Sequence, residues 1–279
     1  MREGFRHPLA RQPDDLPDGQ GARRCRHTQA AWLVFRHGAR PAAVLEPGKR
    51  PLRGAERLSI PGLFVTATDT GAGKTFVGTR LIEGLRAGGL KVAARKPVES
   101  GCPEVEGRLV PRDAEALRQA AGAWEPMDTV CPIALREPLS PPRAARRMKR
   151  KLFLDELVAA CKAPDEAGFM LVEGAGGLFA PLAEDALNAD LARALGLPVL
   201  LVVPDRLGAI NQALLGIHAV THYGLKLAGV ILNQLEPELP RGMDNLADLR
   251  LWTGAPLMRL PHGAGPEALR ALAEDLARA

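Results

Sequence analysis

Phe64-Val65-Thr66-Ala67-Thr68-Asp69-Thr70-Gly71-Ala72-Gly73-Lys74-Thr75 reads as a buried strand, a glycine-containing loop and Gly-Lys-Thr opening a helix. That order is the layout of a phosphate-binding P-loop. Gly73 allows close approach of the backbone to an anion. The loop amides and the first helical turn would point at a phosphate, and the helix dipole favours it. Lys74 can reach terminal phosphates, and the Thr75 hydroxyl can ligate Mg²⁺. The loop departs from the standard pattern, because Thr68 stands five residues before Gly73, where glycine is usual, and Ala67 is the nearest small residue upstream. Asp69 occupies the place of the signature lysine in partitioning ATPases, a charge of the wrong sign for that branch.

Outward from this loop the chain alternates. Apolar runs at 63–66, 91–95, 169–172, 199–203, 228–232 and 257–260 predict strands. Helical patterns at 75–87, 113–121, 153–161, 188–195, 209–222, 243–252 and 266–279 lie between and after them. Continuous apolar strands separated by helices predict an α/β, P-loop NTPase-like, mostly parallel sheet with helices on both faces. Ligands then bind at the carboxyl ends of the strands. Aromatic residues make up only 4% of the chain, so aliphatics and alanine must fill this core.

The formal charge of +5 belongs to one end. Residues 1–57 hold twelve Lys/Arg and six Asp/Glu, which leaves the remainder at −1. A nearly neutral body argues against nucleic-acid binding. The domain reading is therefore a basic, disordered extension at 1–60 and one P-loop synthetase domain at 61–279. The extension fits neither a signal peptide nor an acid-free transit peptide. A translated tail and a natural start near Leu58 both stay open. No run approaches a membrane span. Cys25, Cys102, Cys131 and Cys161 have no metal-ligand spacing, which suggests a reducing cytoplasm with the thiols as packing residues.

Strand ends supply the candidate chemistry. The second gives Lys96-Pro97-Val98-Glu99-Ser100-Gly101, and Lys96 there would bring a second positive charge beside Lys74. Two cations at one anionic centre suit phosphoryl transfer. Alternatively, Lys96 snorkels to solvent. Asp113 opens a helix as an N-cap, or serves a metal. The third strand runs Phe169-Met170-Leu171-Val172-Glu173-Gly174-Ala175-Gly176-Gly177, and Glu173 leaves it into a flexible glycine loop. Thr75, Asp113 and Glu173 would give Mg²⁺ three hard oxygen ligands. His218 and His222, four apart on a helix, read as ordinary helix residues, and the basic run at 143–151 as a solvated face.

Together, Thr68-Asp69-Thr70-x-x-Gly-Lys-Thr, Lys-Pro-Val-x-Ser-Gly, Asp113 and Val-Glu-Gly-Ala-Gly-Gly resemble the dethiobiotin synthetase family, from about Gly62 to at least Pro261. Val-Glu-Gly-Ala-Gly-Gly alone is shared with cobyrinic-acid-type amide synthases, the rival enzyme reading; a regulatory P-loop NTPase is the rival of another class. The resemblance implies an ATP- and Mg²⁺-dependent ligase that joins diaminopelargonic acid and CO₂ (or bicarbonate) into a cyclic urea, working as a cytoplasmic homodimer. It assigns Lys74, Lys96, Thr70 and Ser100 to catalysis. Asp69 through Thr75, that is Asp69, Thr70, Gly71, Ala72, Gly73, Lys74 and Thr75, would cradle the nucleotide with Glu173 and Gly176. Asn233 would meet the adenine edge, with Pro261 and His262 close by. Ser100, Gly177 and Asn211 would hold substrate, the last from across a dimer or else as a plain N-cap. Ala67, Gly71 and Gln234 depart from the family pattern.

Overall fold

The computed structural model describes residues 60–278, and the reading of 1–59 lies outside the described residues. The first strand and helix are β1 (Gly62–Ala67) and α1 (Lys74–Ala87), followed by β2 (Val92–Arg95) and β3 (Val98–Ser100). A hairpin, β4 (Glu104–Val105) and β5 (Arg108–Leu109), leads to α2 (Arg112–Ala120) and α3 (Met127–Val130). Next come β6 (Ile133–Leu135), α4 (Pro141–Arg147), α5 (Leu154–Ala159), β7 (Phe169–Gly177) and α6 (Asn188–Leu195). The last part is β8 (Val199–Pro204), α7 (Ala209–His222), β9 (Leu227–Asn233), α8 (Asn245–Arg250), β10 (Leu257–Leu260), a 3₁₀ turn at Pro266–Leu269 and α9 (Arg270–Arg278).

Six of these strands form one sheet in the order β10-β9-β8-β1-β7-β2. Every pairing in it is parallel. Alternate residues feed opposite faces, as the two-residue period of a strand requires. On β1, Leu63, Val65 and Ala67 join Val77, Leu81 and Ile82 of α1 on one face. Phe64 packs on the other face with Leu157 of α5 and Leu191 of α6. Leu201 and Val203 of β8 meet Ala213 of α7 on that same second face. The chain leaves β1 for β2, returns to β7 between them, then continues on the far side of β1. The crevice above β1 and β7 is thus the switch point of the sheet, the place where α/β folds bind ligands.

All six main strands fall where the apolar runs place them. The short parallel pair β3 and β6 and the exposed β4–β5 hairpin were not expected. Three residues per strand are too few to produce a readable periodicity. Among the described residues, no helix is long and apolar enough to cross a membrane. Arg146 and Arg147 of the basic run pair with Glu184 and Glu137 at 2.6 and 2.9 Å, and Arg150 pairs with Glu156. Three of the run's six cations thus meet surface carboxylates. His218 and His222 lie exposed on α7.

Candidate active site

The loop after β1 turns on two left-handed glycines, Gly71 at φ 74° and Gly73 at φ 86°. A side chain at Gly73 would collide with Asn233, whose Nδ2 lies 2.1 Å from the position of a Cβ. Glycine is thus required there by conformation and by space. Ala67 is in β1 without positive φ, so alanine in place of the family's glycine costs nothing in backbone strain. Asp69 is exposed; its Oδ1 accepts from Thr70 N at 2.7 Å, and its Oδ2 lies 3.8 Å from Arg206. Ala72 is buried, and its carbonyl accepts from Asn233 Nδ2 at 2.9 Å.

Four predicted residues meet in one network. Glu173 is fully buried, and its Oε1 accepts from Lys96 Nζ at 2.5 Å and from Thr75 Oγ1 at 2.9 Å. Lys96 Nζ also reaches Gly174 O at 3.2 Å and Asp113 Oδ2 at 3.3 Å. Lys96 is 3% exposed, so it does not snorkel to solvent. Burial works against its charge, but Glu173 and Asp113 outweigh burial and hold its pKa above the ordinary lysine value. Lys74 is also buried, and its pKa is lowered, by burial first and by Lys96 second. Two ammonium groups that disfavour one another form a site tuned for an added anion.

Glu173 is not followed by a flexible loop. Strand β7 continues to Gly177, with an irregular register against β1 between Val65 and Ala67. The irregular stretch is bound by Asn188, a fully buried residue that the sequence marks only as a helix start. Its Oδ1 accepts from Ala175 N at 3.0 Å, and its Nδ2 reaches Ala175 O, Gly177 O and Ala180 O at 2.8, 2.9 and 3.2 Å. The bulge presses the glycines onto the P-loop. A Cβ on Gly176 would stand 3.7 Å from Thr70 Oγ1, and one on Gly177 would stand 3.2 Å from Ala67 O.

Asp113 does not cap its helix. The N-cap of α2 is Pro111, which has no side-chain donor or acceptor. Glu99 takes the role instead, accepting Asp113 N at 3.1 Å and Ala114 N at 2.9 Å. Asn211 is likewise no cap, because Gly208 fills that position with φ 90°, and Asn211 stands exposed in the first turn of α7. Ser100 ends β3, half-buried beside Glu99. Asn233 closes β9, 1% exposed, with Oδ1 buried and unpartnered among the described residues. Gln234 spends its amide on Glu236 O and Pro237 O. Pro261 is exposed just past β10, and His262 Nδ1 lies 2.7 Å from Leu235 O.

Beside the P-loop lies a cleft of about 590 Å³. Thr68, Thr70 and Gly177 line one side, Phe179, Gln212 and Leu215 the other. Thr68 Oγ1 and Gln212 Oε1 are buried there without partners among the described residues. The wall is otherwise mostly apolar. It suits an elongated apolar molecule carrying a few polar groups.

Residues 61–261 match the AAA domain family. The ATP-dependent dethiobiotin synthetase BioD of Ruthia magnifica subsp. Calyptogena magnifica is 47% identical over 178 residues, 64% of this chain and 82% of that protein. The chain belongs to the ATP-dependent dethiobiotin synthetase family. The family member from Anaeromyxobacter dehalogenans (strain 2CP-C) is 44% identical over 203 residues, 72% of this chain and 89% of its own length. Among solved structures, the septum site-determining protein MinD of Pyrococcus horikoshii OT3 superposes with a TM-score of 0.49 at 17% identity, covering 78% of this chain and 96% of that one.

Proposed function

We infer that this protein is an ATP-dependent dethiobiotin synthetase. One amine of diaminopelargonic acid captures CO₂ as a carbamate. The γ-phosphoryl group of ATP transfers to a carbamate oxygen. The second amine attacks the activated carbon, phosphate leaves, and a cyclic urea and ADP remain. The supporting observation is the buried Lys96–Glu173–Thr75 network, with Lys74 beside it, on the same P-loop whose Thr68 and Thr70 line a mostly apolar cleft.

Each part has a physical task. The P-loop amides and Lys74 hold the phosphates. Lys96, kept charged by Glu173 and Asp113, gathers the carbamate and the transferring phosphoryl group at one centre. Thr70 and Ser100 offer hydroxyls to the carbamate and amines, and Gly177 exposes backbone to the substrate chain. Asn233 Oδ1, without a partner among the described residues, would accept from a base amine near Pro261. The residues also fit Mg²⁺: Glu173 Oε2 is buried without a partner among the described residues, and Thr75 and Asp113 supply further hard oxygens. These three would hold the ion, which when bound supplies charge neutralisation for the phosphates.

Phosphate release by the purified protein with ATP, Mg²⁺ and bicarbonate should rise at least tenfold when diaminopelargonic acid is added, and the product mass should match the cyclic urea. Hydrolysis indifferent to the diamine would overturn the assignment. A homodimer belongs to the same reading. Its support is apolar exposure in the cleft wall, with Phe179 47% and Leu215 63% exposed. Leu215→Asp should halve the sedimenting mass; an unchanged mass, or a monomeric parent, would reject this face as the interface. Cytoplasmic residence rests on the free, buried thiols of Cys102, Cys131 and Cys161, pushed by burial to about 11, 12 and 12. Cell fractionation checks it.

A further inference from the structure

Asp113 is the exposed member of the charged network. Its side chain is 50% exposed, whereas Lys96 and Glu173 are 3% and 0% exposed. Its side chain contacts Lys96 Nζ at 3.3 Å. Between Ser100 and α2 the chain makes an exposed excursion through β4 and β5, whose residues 104–108 all face solvent. Such a hairpin is a poor carrier of position. A buried polar tie across it is Glu99, 7% exposed, whose two carboxylate oxygens accept the Asp113 and Ala114 amides.

Three further observations make this tie more than an ordinary cap. First, Glu99 comes from a different strand, fourteen residues upstream of Asp113, so it joins two segments. Second, that strand begins two residues after Lys96, and Lys96 N is itself fixed by Val130 O at 2.8 Å. Third, the amide held by Glu99 belongs to Asp113, so the tie sets the backbone from which the carboxylate projects to Lys96. An orphan helix amide needs an acceptor, and an anion at that end is favoured by the helix dipole.

We propose that Glu99 is a positioning residue: it clamps the start of α2 to the Lys96 segment and so aims Asp113 into the nucleotide-metal site. This rests on the reading of Asp113 as a metal-facing group. Glu99 touches no substrate and no reacting atom. Its effect should therefore appear where Asp113 acts, in the gain of nucleotide affinity that Mg²⁺ confers.

The test is titration calorimetry of ADP into the full chain, once with Mg²⁺ and once with EDTA, with Asp113→Ala measured alongside. Glu99→Ala should raise the Kd of ADP about tenfold in Mg²⁺ and leave the EDTA value unchanged. Glu99→Gln has one acceptor oxygen for two amides and should lie between, near threefold; it carries the test if the alanine variant fails to fold. Asp185→Ala removes a helix cap elsewhere, the acceptor of Leu154 N at 3.0 Å, and should alter neither Kd. If Asp113→Ala weakens Mg²⁺-dependent binding while both Glu99 variants match the parent, the clamp is wrong. Equal weakening with and without Mg²⁺ also rejects it, as that is general damage. If Asp113→Ala itself leaves the Mg²⁺ effect intact, the underlying metal reading fails and the clamp falls with it.

Discussion

Lys96→Met should lower turnover by at least 10²–10³-fold, the usual cost of losing one preorganised charge at a transition state. It should also destabilise the protein. Glu173 is fully buried and its Oε1 leans on Lys96 Nζ at 2.5 Å, while Oε2 has no partner among the described residues. Removing the ammonium leaves a buried carboxylate with only the Thr75 hydroxyl as donor. Breaking one side of a buried ion pair typically costs about 3–5 kcal/mol. The variant is thus expected to lose catalysis and stability together, and denaturant unfolding must accompany the kinetics. The double variant Lys96→Met with Glu173→Gln separates the two. A neutral amide removes the stranded charge and still accepts from Thr75. Most of the lost stability should return, while turnover stays absent. Turnover within a few fold of the parent in the single variant would reject Lys96 as catalytic. A double variant no more stable than the single one would show that the stranded charge is not the cause.

The same cluster shows what the sequence made legible. Strands β1, β7 and β8 are long apolar runs, so their place in the sheet and the polar residues at their ends were readable. Thr75 opens the helix after β1, Lys96 follows β2, Glu173 lies in β7 and Asp113 starts α2; the structure brings the four together. Glu99, Asn188 and Arg95 escaped notice because their partners are distant in sequence. Glu99 serves amides fourteen and fifteen residues on. Asn188 serves carbonyls of β7 thirteen and eleven residues upstream. Local patterning also offered two caps, as one of two roles for each residue, that the structure does not form. Asp113 and Asn211 are favourable N-cap residues by type. Tertiary contacts and a left-handed Gly208 supply those turns instead. Arg95 looked like the polar end of an apolar run, and its burial follows from a partner thirty residues away.

That Arg95 carries the second large expectation, Arg95→Met. It lies on the edge strand β2 and is 1% exposed. Its guanidinium makes a two-pronged bond to Glu125, Nη1 to Oε2 at 2.9 Å and Nη2 to Oε1 at 2.8 Å. The same nitrogens satisfy Ala94 O and Lys162 O, both at 2.8 Å. Three segments of chain thus close on one planar group, a geometry lysine cannot reproduce. Methionine fills much of the volume but strands Glu125, whose side chain is 8% exposed. The expected loss is about 3–5 kcal/mol, or a melting temperature lower by about 10 °C for a domain of this size. Arg95→Met with Glu125→Leu should recover most of it, because buried ion pairs contribute little over well-packed apolar groups. Turnover measured well below the melting point should stay within tenfold of the parent. Lys96 is held by its own contacts to Glu173, Gly174 O and Asp113, and those remain. A larger fall in turnover at full folding would mean that β2 itself shifts, and that the pair holds Lys96 in place. A double variant as weak as the single one would mean that the hydrogen bonds to Ala94 and Lys162, rather than the stranded carboxylate, account for the loss.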